Sequence, residues 1–279
     1  MRPLARAGAV LRWSALLVAA ALFLLPFYLL VRNGLATREE LTSPGWTILP
    51  AHPRWENFAA VFDDEDVPFG RSLLNSAVVA VLQTAGSLLL SSAAGYGMAR
   101  IPYRHSGKVF AAVVATLLVP ASVTFVPTFV MVSSLGWVSD LRGLVVPGMF
   151  GALNAVLFRQ HFLEFPRELE DAGRVDGLGR WGVFRRIVLP NSTGFLAAVA
   201  AITFVGSWNA FLWPLVIAQD SDSWTVQVAL SGLLTAQNPQ LNLLFAAAAI
   251  AIAPIVLLFA VLQRQLVRGA TESGAVTAR

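Results

Sequence analysis

Apolar residues run along this chain in long blocks separated by short polar intervals, and the blocks set the architecture. A helix needs roughly 20 predominantly apolar residues to cross the hydrocarbon core of a bilayer. Six segments meet or approach that length, at 13–31, 72–98, 109–134, 143–158, 191–217 and 243–263, and none holds Asp, Glu, Lys or Arg within those limits. The fourth is the shortest and extends toward Phe158–Phe162. Pro26, Pro120, Pro127, Pro147, Pro214 and Pro254 all fall inside these segments. In a membrane, neighbouring helices re-satisfy backbone groups freed by proline, so the expectation is kinked spans rather than ended ones.

The intervals between the blocks set the orientation. With the N-terminus placed in the cytoplasm, fifteen of the 20 Lys and Arg residues lie on the inner side; only Arg32, Arg38, Arg54, Arg71 and Arg142 lie outside. Such a bias marks cytoplasmic loops. The pattern predicts an all-α membrane protein with six transmembrane helices and both termini cytoplasmic. Its parts are a cytoplasmic N-terminus (1–12), a transmembrane region (13–269) with a long outer loop (33–71), and a cytoplasmic tail (270–279). The first apolar core, Ala15–Val31, is longer than the ~7–15 residues of a signal-peptide core, and Gly34-Leu35-Ala36 is a weak cleavage site. It is therefore read as a retained span.

Composition narrows the chemistry. Of 279 residues, 56% are hydrophobic and 13% charged, against about a quarter charged in soluble domains. The net charge of +4 is spread in short runs that report topology, not a nucleic-acid surface. Cysteine is absent, and His52, His105 and His161 are far apart, so no disulfide, thiolate or His-metal cluster is expected. The run Asp63-Asp64-Glu65-Asp66 lacks the spaced ligands and turn glycine of a calcium loop and reads as a solvated stretch.

Ion-coupled carriers usually keep an ionisable residue within a span. Here the polar residues inside the spans are neutral: Asn75, Gln83, Asn154, Thr203 and Asn209. That lowers the case for an ion-coupled secondary carrier, though sodium held by carbonyls and hydroxyls stays open. Nor does the chain carry a phosphate-binding loop. Its single lysine, Lys108, follows Gly107, but Pro102 stands where the first glycine belongs and Val109 where a hydroxyl is needed. Any ATPase must be a separate polypeptide. No nucleophile or acid–base constellation points to an enzyme.

One polar interval is unlike the rest. Residues 166–190 are charged and amphipathic within an otherwise apolar chain. Pro166 suits a helix start, and Glu168, Glu170 and Asp171 suit the positive end of its dipole. Leu169, Ala172 and Val175 recur as a narrow apolar stripe, and Gly177 is placed to end the helix in a left-handed conformation. A second helical stretch follows, with Trp181, Phe184 and Ile187 expected on one face and Pro190 closing it. A lipid-surface helix is the plain alternative, but the acids at Glu168, Glu170, Asp171 and Asp176 would be repelled by anionic lipid. The stretch reads as a docking element for a soluble partner.

Its spacing, Asp171-Ala172-Gly173, then Gly177, then Ile187-x-Leu189-Pro190, resembles the cytoplasmic EAA loop of ABC importer permeases. Residues 72–100, the approach Phe158–Pro166, and Phe204–Leu215 (F-V-G-S-W-N-A-F-L-W-P-L) are similar to carbohydrate permeases of the maltose type. The resemblance runs over about 70–235. It departs in two places: Asp171 stands where Glu is usual, and Gly173 where Ala is usual.

The resemblance implies a bacterial cytoplasmic-membrane, multi-pass permease subunit that imports a sugar or oligosaccharide. Its partners would be a second six-span permease, two ATPase subunits holding ATP and Mg, and an extracytoplasmic solute-binding protein. The ATPase-docking set would be Glu168, Glu170, Asp171, Ala172, Gly173, Val175, Asp176, Gly177, Trp181 and Phe184. Asn154, Trp208, Asn209 and Trp213 are candidates for the substrate path, against ordinary roles as interhelical hydrogen bonds and interfacial anchors. The other readings are a permease for a polyol, glycerol phosphate or amino acid, and the ion-coupled carrier.

Overall fold

The computed structural model describes residues 2–64, 66–236 and 239–276, with side chains from residue 11 to residue 265 of these. Every regular element among them is helical. In chain order these are α1 (Arg2–Gly34), α2 (Arg38–Thr42), α3 (Glu56–Ala60), α4 (Phe69–Arg100), α5 (Ser106–Leu117), α6 (Ala121–Ser134), α7 (Leu141–Val145), α8 (Ala152–Glu164) and α9 (Arg167–Val175). Then come α10 (Arg180–Val183), α11 (Leu189–Asn191), α12 (Thr193–Trp208), α13 (Leu212–Ile217), α14 (Val226–Thr235) and α15 (Leu241–Val276). A π turn, Phe184–Val188, joins α10 to α11.

Four helical stretches, Leu11–Gly34, Phe69–Arg100, Leu141–Glu164 and Leu241–Gln265, are long and apolar enough to cross a bilayer. Two further stretches are bent pairs: α5 with α6 at 96°, and Arg180–Asn191 with α12 at 80°. The 96° bend corrects the expectation of a single kinked span over 109–134, whereas the 80° bend falls at the edge of the expected span 191–217. Pro120 is the N-cap of α6, with ψ 138°. Lacking an N–H and crowding the residue before it, proline here separates two helices. Pro26, Pro127 and Pro254, by contrast, stay inside α1, α6 and α15. The expected fifth span divides again after Trp208, where Asn209 caps α12 before α13 restarts at Leu212.

The fourth stretch runs to Glu164 rather than Phe158 and so takes in Arg159, whose guanidinium sits 3.8 Å over the Phe110 ring. That cation–π contact gives the charge a neighbour within an apolar stretch. α15 continues unbroken past the boundary expected at 269–270, and residues 277–279 of the expected tail lie outside the described residues. So does Glu65 of the acidic run; Asp64 Oδ1 there accepts from the backbone N–H groups of Asp66 and Val67, both at 3.0 Å.

The chain divides into two compact units. In the unit of residues 1–70 and 229–253, the segment that follows α1 is organised by polar groups. Arg32 is buried and donates to Thr47 O and Thr47 Oγ1. Asn57 donates to the carbonyls of Gly34 and Ala36 and accepts from Asn242. Gly34 lets α1 approach α15 so closely that a Cβ there would lie 2.9 Å from Ala246 Cα.

Among the described residues of the unit 71–228 and 254–279, apolar side chains pack around two centres. One packs Val79, Val132, Leu144, Val145 and Ile217. The other packs Tyr96, Phe158, Phe162, Phe165, Val183, Phe184, Val188 and Val199, and it is the floor on which the 166–190 loop rests.

Candidate coupling site

α9 begins after Pro166 and ends in a glycine cap. The Leu178 N–H donates to Gly173 O at 2.9 Å and the Gly177 N–H to Arg174 O at 3.0 Å. Gly177 has φ +82°, the left-handed conformation that only glycine adopts at little cost. These paired bonds satisfy carbonyls that the helix end would leave open, and they turn the chain toward α10.

The face of α9 turned inward is ionic. Glu170 is 2% exposed. Its Oε1 lies 2.9 Å from Arg100 Nε, its Oε2 accepts from Tyr96 Oη at 3.1 Å, and Arg174 Nη2 approaches Oε2 at 3.5 Å. Arg100 also donates to Phe165 O, at the junction of α8 and α9. A buried pair of this kind is costly to break, about 3–5 kcal/mol when one partner is removed. Gly173, one turn on, is buried too, against Ile187 and Leu178.

The outward face carries the apolar stripe. Leu169 is 44% exposed and Val175 88%, with Ala172 exposed between them. This inverts the usual order, in which apolar residues face the protein and charges face outward. Glu168 and Asp176 are exposed beside the stripe, and Asp171 is held by Arg174 Nη1 at 2.7 Å.

Of the expected docking set, Glu170, Gly173 and Phe184 are therefore buried within this chain. The 3.6-residue period puts 170 and 173 on the inner face of α9. Trp181 and Phe184 do not share an exposure either: Trp181 is 66% exposed and Phe184 2%. Their rings nonetheless lie 5.3 Å apart, Trp181 at the surface and Phe184 beneath it in the apolar centre. Glu168, Asp171, Ala172, Val175, Asp176, Gly177 and Trp181 are all exposed.

Between the end of α4 and α9 lies a cavity of about 800 Å³, lined by Arg100, Arg167, Glu170, Asp171, Arg174 and Arg180 among others. A smaller polar cavity of about 260 Å³ includes Arg71, Asn75, Ser139, Asp220 and Asp222. There Asn75 Nδ2 donates to the carbonyls of Asp222 and Trp224, both at 2.9 Å.

The substrate-path candidates are not gathered at either cavity. Asn154 Nδ2 donates to Ser87 Oγ at 2.8 Å and Thr203 Oγ1 at 3.1 Å, tying α8 to α4 and α12. Trp208 is buried and stacks on Phe204 with centroids 5.8 Å apart. Trp213 donates to Gly143 O, and Asn209 accepts from Gln227. The contacts of Asn154, Asn209 and Trp213 join separate elements, whereas the Trp208–Phe204 stack lies within α12. Tyr96 and Arg100, the partners of Glu170, were missed in the sequence because an arginine at a span end carries only a topological signal.

A two-arm helical loop with an apolar stripe turned outward thus sits beside helices long and apolar enough to cross a membrane. The chain belongs to the family described as "Binding-protein-dependent transport system inner membrane component", whose profile matches residues 91–272. It is 32% identical over 260 residues to the lactose transport system permease protein of Rhizobium radiobacter, covering 93% of this chain and 94% of that one. It is 34% identical over 240 residues to the arabinooligosaccharides transport system permease protein of Halalkalibacterium halodurans, covering 84% and 85%. It is 30% identical over 264 residues to the sn-glycerol-3-phosphate transport system permease protein of Yersinia pestis, covering 92% and 94%. Among solved structures, a chain of a bacterial ABC transporter involved in the import of the acidic polysaccharide alginate superposes with a TM-score of 0.79 at 20% identity, over 93% of this chain and 96% of that one. That likeness is one of fold.

Proposed function

We propose that this chain is the permease subunit of an ATP-driven importer for a sugar or oligosaccharide, set in the cytoplasmic membrane. In this reading it crosses the bilayer six times, the two bent pairs each counting as one crossing, with both termini cytoplasmic. It forms the translocation path with a second permease and receives solute from an extracytoplasmic binding protein. ATP and Mg are held by two ATPase subunits, one of which docks on α9.

The observation that carries the reading is the exposed stripe Leu169, Ala172 and Val175 on a helix whose other face is fixed by a buried carboxylate. A helix oriented in that way has its apolar side reserved for a partner. The sugar class follows from the relatives named for lactose and arabinooligosaccharides. A phosphorylated polyol is the second reading, favoured by the glycerol-3-phosphate relative. Against it, both arginines within the Leu141–Glu164 stretch are occupied, Arg159 by the Phe110 ring and Arg142 by the Asp140 carboxylate.

Affinity purification of the chain from its native membrane tests the assembly. Recovery of a P-loop ATPase and a second multi-span permease supports it. Recovery of the chain alone, with uptake that follows an ion gradient, overturns it in favour of a secondary carrier.

A further inference from the structure

The exposed stripe of α9 accounts for docking but gives no role to the ionic group on its other face. Tyr96 and Arg100 lie one turn apart on α4 and so share a face. Both reach Glu170 of α9, and Arg100 also holds the carbonyl of Phe165 just before α9 begins. The last turn of α4 thus grips the loop at two points. Around the joint, the Tyr96 ring packs edge-on against Phe162 and tilted against Phe184, which brings in α8 and the π turn.

α4 is also closely fitted along its length. A Cβ on Gly95 would lie 2.5 Å from Phe158 Cβ, and one on Gly86 would lie 2.7 Å from Met149 Cε. Near its N-terminal end the same helix holds a second loop. Asn75 donates to the Asp222 and Trp224 carbonyls, and Ser76 Oγ accepts from the Val226 N–H at 2.8 Å. One helix of 32 residues, about 48 Å at 1.5 Å per residue, therefore carries the 166–190 loop near one end and the 220–226 loop near the other.

We propose that Glu170 is a positioning residue: with Arg100 and Tyr96 it locks α9 to α4, so that a pull on the docking helix is delivered through α4 to the 220–226 loop. The joint is ionic: Arg100 Nε and Glu170 Oε1 lie 2.9 Å apart in a buried site, where removing one charge strands the other, whereas an apolar contact can slide. The proposal rests on α9 being the ATPase-docking helix. It goes further in naming the path by which docking motion leaves the loop.

The chain has no cysteine, so paired spin labels can be placed cleanly. Gly97→Cys on α4 and Arg167→Cys on α9 avoid the exposed stripe. In the complete transporter in nanodiscs, dipolar broadening should give one narrow separation, the same without nucleotide and with ATP plus orthovanadate. In Glu170→Gln the spread of separations should at least double and should change on adding ATP and orthovanadate, with the ATPase still bound. A wild-type separation that itself changes with nucleotide overturns the proposal, as does a Glu170→Gln spread as narrow as wild type. Tyr96→Phe, which removes a single hydrogen bond, should broaden the spread by a smaller amount and serves if Glu170→Gln does not assemble. If no ATPase accompanies the chain, the docking reading fails, while the nucleotide-free comparison of widths still decides whether the lock exists.

Discussion

Gly173 and Ile187 are matched to each other: a Cβ built on Gly173 would lie 2.2 Å from Ile187 Cδ1. The small residue in α9 makes room for a long one on the π turn, which explains a glycine where permeases of this type usually have alanine. Gly173→Ala gains about 1 kcal/mol of helix propensity but overpacks the contact, at about 1–3 kcal/mol. The clashing atom is a terminal methyl that can swing away, so the overpacking should be at the low end, about 1 kcal/mol, leaving the single variant about as stable as wild type. Ile187→Val should cost about 0.5–1.5 kcal/mol alone, yet the double variant should be as stable as wild type. Thermal unfolding of the four proteins in detergent checks this; strict additivity would mean the two positions do not couple.

The glycine elbow gives a second expectation. At φ +82°, Gly177→Ala should cost about 1–2 kcal/mol, and Gly177→Asn less. Gly177→Pro is more severe, since proline fixes a negative φ and removes the N–H that donates to Arg174 O. It should abolish transport and ATPase retention while leaving membrane insertion intact. Retention of the ATPase at wild-type stoichiometry by purified Gly177→Pro would count heavily against docking through α9.

The stripe can be tested without touching the fold. Val175, at 88% exposed, has little to lose in the fold, so Val175→Asp should leave the unfolding temperature nearly unchanged, and Leu169→Asp, at 44% exposed, should lower it somewhat more. Each should weaken ATPase association by about 1–3 kcal/mol, the range for truncating an interface anchor, or about 5- to 150-fold in affinity. Pull-down of the ATPase across a dilution series reads this directly, and undiminished association would place the docking surface elsewhere.

How much of this was legible in the sequence differs from residue to residue. Gly177 was, because a glycine just past the last stripe position has a local cause, the left-handed cap. The apolar blocks were, since length and hydropathy need no tertiary information. The break at Pro120 was not: Pro127 and Pro254 sit in similar apolar surroundings and remain inside helices. What separates them is packing between segments, which local sequence does not carry. The burial of Glu170 was illegible for the same reason. The stretch 168–176 shows two faces, but which one turns inward depends on Tyr96 and Arg100, about seventy residues upstream. The substrate-path candidates stay ambiguous in the sequence, because Trp and Asn suit a sugar path and a helix contact equally well.

Asn154 offers the sharpest test of that last ambiguity. Its amide bonds to Ser87 and Thr203 join three helices within one unit. Interhelical hydrogen bonds in membranes average about 0.6 kcal/mol and reach about 1.7, so Asn154→Ala should cost about 1–2 kcal/mol. Ser87→Ala should lose part of the same energy, and the pair should be less than additive, because the second change removes a bond already lost. A residue of the substrate path would behave otherwise: its loss would alter which solutes stimulate ATP hydrolysis while sparing stability. The expected outcome is a lowered unfolding temperature for Asn154→Ala, with an unchanged order of preference among a panel of disaccharides. A stable Asn154→Ala protein with an altered order would return the residue to the path.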